Sequence, residues 1–158
     1  MNPPLKVPPR ESETNLAEAV ISWMFTRDYA SQSLGIHVVE VGPGYSKLKM
    51  RVRMSMTNGH GICHGGVVFS LADSAFAFAC NSRNQKTVAA GCTIDFLASA
   101  RVGDDLYVEA TEESLQGRTG IYDVVVTDQS GKRVALFRGR SHRIEGEVMG
   151  RPKVGRQT

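Results

Sequence analysis

The chain has 158 residues, 41% of them apolar and 22% charged, the make-up of one globular domain with a real core, which excludes a disordered or low-complexity protein. Its formal net charge is +3, too small for the dense basic patch of a nucleic-acid binder, though compatible with an anionic small-molecule substrate. No apolar run approaches the ~20 residues of a membrane-spanning helix, and the first residues lack the apolar core of a secretory signal. Cys63, Cys80 and Cys92 are an odd set with no CxxC pair, which argues against a disulfide framework and for a cytoplasmic location.

Residues 1–13 hold four prolines and read as a flexible leader. Thr14 is a candidate cap for the helix that follows. Leu16, Val20, Trp23 and Met24 form an amphipathic stripe, which predicts a helix over about 15–31. Residues 36–41 read as a strand, and Gly42-Pro43-Gly44 as a turn. Over 47–54 the alternation is complete: Lys47, Lys49, Arg51 and Arg53 face one way, Leu48, Met50, Val52 and Met54 the other. This is a half-buried strand with a basic face, read as solvated surface.

Residues 57–66, TNGHGICHGG, form a glycine- and histidine-rich loop. The segment behind it, VVFSLADSAFAFACN, is apolar nearly all the way round and must be a buried helix. Strands follow over 87–97, 106–114, 120–127 and 133–143, the last three spaced as an antiparallel meander. The domain spans 14–146, and 147–158 is a loose tail. A helix apolar on all sides has to be wrapped, and an antiparallel sheet curled around it is the simplest α+β solution.

Asp73 is the only charged residue from Gly65 to Cys80. An unpaired carboxylate among Phe69, Phe76 and Ala77 is expensive to bury, and it is a candidate base or nucleophile. The structural alternative is a carboxylate satisfied by backbone amides or by Ser70 and Ser74. The second feature is His64-Gly65-Gly66 at the helix start. Glycines admit close approach to the backbone, and the first helical amides have no internal partner. With the helix dipole they can hold a carbonyl oxygen that turns into an oxyanion. Gly65 and Asp73 are eight positions apart, which at 1.5 Å per residue puts them ~12 Å apart along the axis. One substrate carbonyl cannot touch both in one chain. A two-fold dimer that sets Gly65 of one copy against Asp73 of another makes two equal sites.

The stretches NGHGICHGGVVFSLADSAFAFACNS, CTIDFLASARVGDDL and GIYDVVVTDQSGKRVALFRGRSHRI resemble the PaaI-type hotdog-fold thioesterases of phenylacetic acid degradation, over about residues 34–147. The resemblance implies a hotdog fold and hydrolysis of acyl-CoA thioesters, with (hydroxy)phenylacetyl-CoA or similar aryl or medium acyl groups as substrate. It implies Asp73 as the catalytic carboxylate, Gly65 as the oxyanion amide, Asn58 as a substrate-positioning residue of the preceding loop, and His64 and Gly66 as parts of the same binding loop. It also implies a homo-oligomer, a dimer or a dimer of dimers with sites at the dimer interface, and neither metal nor cofactor beyond the CoA of the substrate. Arg138, Arg140, His142, Arg143, Arg83 and Lys86 are candidates to meet the CoA phosphates.

Three other readings compete. His60, Cys63 and His64 are proper zinc ligands, but they are too few and no second cluster joins them. Cys63 beside His64 suggests a thiol nucleophile, yet adjacent loop residues seldom face each other. A non-catalytic acyl-CoA-binding hotdog module would share the fold, but a pure binder would gain from losing the buried charge of Asp73.

Overall fold

The computed structural model describes residues 8–150. Of the leader expected over 1–13, residues 1–7 lie outside the described residues, and Glu11–Glu13 already belong to the first helix. Of the loose tail expected over 147–158, residues 151–158 lie outside them, while Glu147 ends the last strand and Val148 and Met149 hydrogen-bond to Asn84 and pack against the core. The elements are α1 (Glu11–Phe25), α2 (Tyr29–Ser33), β1 (His37–Gly42), β2 (Tyr45–Arg51), a 3-10 turn at Met54–Met56, α3 (Gly65–Asn81), β3 (Gln85–Phe96), β4 (Asp105–Gln116), β5 (Thr119–Thr127) and β6 (Arg133–Glu147).

The predicted helix over about 15–31 is two helices with an earlier start. Glu13 sets that start. Its carboxylate accepts the Arg10 backbone N–H at 2.9 Å and the Arg10 guanidinium at 3.2 Å, so Glu11 opens the first turn and Thr14 lies inside the helix rather than capping it. Past Phe25 the chain tightens, the Arg27 amide donating to Met24 O at 3.0 Å and the Asp28 amide to Phe25 O at 3.1 Å, while the Thr26 hydroxyl and the Arg27 guanidinium donate to the Trp23 carbonyl at 2.9 and 3.0 Å. Asp28 then caps α2, accepting the Ser31 N–H. The buried stripe is Ala17, Val20 and Ile21, with Met24 packed against the core. Leu16 and Trp23 belong to the other face, 40% and 37% exposed.

The six strands form one antiparallel sheet in the order β1-β2-β4-β5-β6-β3. β4, β5 and β6 are the expected meander. The alternation over 47–54 holds through Val52 and then fails. Leu48, Met50 and Val52 are buried, but the strand ends at Arg51, and Met54 is 73% exposed while Met56 turns in. The basic face of β2 is solvent surface balanced across the strand pair: Lys47 meets Glu109 at 2.8 Å, and Lys49 and Arg51 meet Asp105 at 3.5 Å.

α3 lies in the concave face of this sheet, as its apolar sequence requires. Leu71, Ala72, Ala75, Phe76, Phe78 and Ala79 are buried against Leu48, Leu106, Val108, Tyr122, Val124 and Phe137. One face of the helix stays only partly covered: Ser70, Asp73, Ala77 and Cys80, spaced at three and four residues, are half-buried. Beside it runs β3, which among the described residues pairs only with β6 and ends the sheet. Among the described residues no helix is long and apolar enough to cross a membrane.

Candidate active site

The loop before α3 is closed at both ends. Thr57 and Cys63 bridge as an antiparallel pair, the Cys63 amide donates to Ala100 O and the His64 amide to Met56 O, both at 2.8 Å. Inside the loop, the Asn58 side-chain oxygen accepts the His60 amide at 2.9 Å and the Ile62 amide at 3.4 Å. Asn58 thus spends its oxygen on the turn, and its side-chain NH2 has no acceptor among the described residues.

His64 is the N-cap of α3. Its Nδ1 accepts the Gly66 N–H at 2.9 Å, which puts the ring proton of the neutral imidazole on Nε2. Glycine at 66 makes this possible, because a Cβ there would lie 3.0 Å from Nδ1. The Val67 and Val68 amides both reach the His64 carbonyl, at 2.9 and 3.2 Å. Of the first-turn amides, Gly65 N–H is therefore the one with no acceptor among the described residues. It sits at the positive end of a 17-residue helix. A Cβ on Gly65 would lie 3.2 Å from the tip of the Phe96 ring, so glycine lets that ring, 54% exposed at the end of β3, close one side of the amide.

Asp73 is half-buried in the middle of α3. Burial first, and then the negative charge of Asp28, push its carboxyl above the ordinary carboxylate range. The two hydroxyls expected to satisfy it are engaged elsewhere. Ser70 Oγ donates to Gly66 O at 2.8 Å, and Ser74 Oγ lies 2.8 Å from Ser31 Oγ. Asp73 thus has no hydrogen-bond donor among the described residues and lies on the partly covered face of the helix.

Cys63 is buried beneath the loop, and burial pushes its thiol up, opposite to what a nucleophilic cysteine needs. Among the described residues no three His, Cys, Asp or Glu side chains gather into a metal-ligand set. Two of the cations considered for phosphate binding already hold carboxylates. Arg138 grips Asp123 at 2.6 and 2.8 Å. Arg83 grips Glu112 at 2.6 and 3.1 Å, and Glu112 also accepts the Tyr122 hydroxyl at 2.8 Å. Sequence reasoning missed Phe96, whose contact with Gly65 spans 31 positions, and Asp28, which fell inside the single helix expected over about 15–31.

A long helix wrapped by one curled antiparallel sheet is the hotdog architecture. The Thioesterase superfamily model matches residues 60–135. The chain is 46% identical over 127 residues to the acyl-coenzyme A thioesterase PaaI of Escherichia coli K12, covering 80% of this chain and 91% of that one. The structure of the E. coli PaaI protein from the phenylacetic acid degradation operon aligns with a TM-score of 0.84 at 43% identity, over 85% of this chain and 98% of that one. A mutant of the phenylacetic acid degradation protein PaaI from Thermus thermophilus aligns with a TM-score of 0.72 at 38% identity, over 74% of this chain and 100% of that one. The chain belongs to the PaaI-type hotdog acyl-CoA thioesterases.

Proposed function

We propose that this thioesterase hydrolyses aryl-acetyl-CoA thioesters, phenylacetyl-CoA and its hydroxylated forms foremost, at sites shared between two copies of the chain. The observation that carries the reading is the pairing on α3 of an acceptor-free Gly65 amide with a donor-free Asp73 carboxylate. The aryl-acetyl preference is supported by the relatives named for phenylacetic acid degradation.

The thioester carbonyl accepts the Gly65 N–H, which polarises it and takes up the charge of the tetrahedral intermediate. Asp73 either attacks the carbonyl carbon or removes a proton from the water that does. The C–S bond breaks, CoA leaves as a thiolate that picks up a proton, and water supplies the oxygen and proton of the free acid. A thiolate leaves readily, so a placed nucleophile and a polarised carbonyl suffice, and the scheme uses no metal and no further cofactor. The free NH2 of Asn58 steadies the thioester. His64 holds the Gly66 amide and so leaves Gly65 as the open donor.

Since Gly65 and Asp73 are ~12 Å apart along one helix, the carbonyl is held by Gly65 of one copy and reacts at Asp73 of another. The open face of α3 and the unpaired edge of β3 are the surfaces that a second copy covers in this reading. Arg140, His142, Arg143 and Lys86 are the candidates left to meet the CoA phosphates.

The test is release of free thiol from a panel of acyl-CoAs, with the wild-type chain beside Asp73→Asn. Phenylacetyl- or hydroxyphenylacetyl-CoA is expected to be the best substrate, and the variant to lose ~10²-fold or more, the scale of a removed base. Preference for short aliphatic acyl groups would overturn the substrate, and an active Asp73→Asn would overturn the site.

A further inference from the structure

Ser31 is 2% exposed and lies on a helix of five residues. Capping that helix requires only that the Asp28 carboxylate accept the Ser31 N–H, which it does at 3.0 Å. Its other oxygen does something capping does not require: it accepts the Ser31 hydroxyl at 2.6 Å. A hydroxyl has one proton to give, and this short contact to a carboxylate commits it to Asp28. That commitment gives a direction to the 2.8 Å contact between Ser31 Oγ and Ser74 Oγ. Ser74 donates, Ser31 accepts and passes its own proton to Asp28.

We propose that Asp28 is a positioning residue for the thioesterase reaction: through Ser31 it draws the Ser74 hydroxyl away from Asp73 and fixes a second negative charge in that carboxylate's surroundings. The inference rests on the reading of Asp73 as the reacting carboxylate. A carboxylate denied a hydroxyl donor and set near a like charge binds a proton more tightly, and is the stronger base when ionised. The groups whose charges couple to Asp73 are few. Asp28 comes from the link before α2, Cys80 from α3 and Cys92 from β3. Burial pushes Cys80 to about 12 and raises Cys92 as well, so both thiols are neutral at working pH. Asp28 is thus the fixed charge that the chain itself supplies.

Asparagine and serine both cap helices well, so the charge at position 28 can be removed without losing the cap. The experiment is the pH dependence of kcat/KM for thiol release from phenylacetyl-CoA by the full chain, as wild type and as Asp28→Asn, Asp28→Ser, Asp28→Glu and Asp73→Asn, each with its Tm. In Asp28→Asn and Asp28→Ser the acid limb is expected to move to lower pH, and in Asp28→Glu to return toward the wild-type position. If Asp73→Asn is inactive but the acid limb stays put in both neutral variants, whatever happens to Tm, Asp28 is only a cap and the proposal fails. If Asp73→Asn keeps wild-type activity, the underlying site reading fails instead.

Discussion

At the residue scale, Asp73 is exceptional for what its neighbours do with their protons. Ser70 turns back to Gly66 O and Ser74 turns to Ser31, so the carboxylate carries its burial without relief from its own chain. Its proton affinity is raised in the folded state by that burial and by Asp28. Between the ordinary carboxylate value and the raised one, the folded chain holds a proton that the unfolded chain has lost. Stability therefore falls as pH rises through that window, and the ionised side chain destabilises the fold at neutral pH. Asp73→Asn is expected to raise Tm at pH 7, with the gain shrinking as pH drops below the ordinary carboxylate value. A lower Tm for the variant at pH 7 would mean that the carboxylate is paired in solution. Asp73 was legible in the sequence because a single charge in an apolar helix breaks the pattern. The relay from Asp28 was not, since Ser31 and Ser74 lie 43 positions apart and neither is unusual where it stands.

At the element scale, the apolar run behind the HGG loop could only be a wrapped helix, and α3 is one. Phe76 closes the core by lying over Gly139 of β6, where a Cβ would sit 2.7 to 2.8 Å from three carbons of the ring. The ring is 1% exposed and packs against Tyr122 and Phe137, so it has nowhere to move. Gly139→Ala is expected to cost ~1–3 kcal/mol of stability as an overpacked core, read as a drop in the denaturant midpoint. An unchanged midpoint would show that the helix can lift from the sheet. The strands were legible from alternation and turn residues. The start of α1 was not, because Arg10 at the cap gives no capping signal and the responsible contact is the side chain of Glu13 reaching back. The fate of Met54 was hidden for a similar reason: a chain leaving a sheet can keep its alternation for two or three residues after the hydrogen bonds have ended.

At the scale of the whole molecule, the fold keeps the Gly65 amide and the Asp73 carboxylate, the two halves of the proposed site, apart within each chain. Gly65 opens α3, Asp73 lies two turns on, and the face between them borders the free edge of β3. The sequence could suggest that two copies meet because helix rise is a fixed length. It could not say that β3 ends the sheet, since strand order depends on a crossover that no local pattern records.

Shared sites can be tested by mixing two dead variants. Gly65→Pro removes the amide donor at the first helical position, where proline's backbone is accepted, and His64 before it has ψ 132°, already in the extended region that a following proline requires. The added ring presses on the tip of Phe96, which is 54% exposed and has room to turn aside. Loss of one oxyanion donor costs ~10²–10³-fold, so Gly65→Pro and Asp73→Asn are each nearly inactive alone. Unfolding them together and refolding at equal amounts makes hybrids in which one site joins an intact Gly65 to an intact Asp73 and the other is doubly dead. With random pairing, about a quarter of the wild-type activity should return. If the mixture stays as inactive as its components while size and Tm show refolded oligomers, Gly65 and Asp73 of different copies do not form one site.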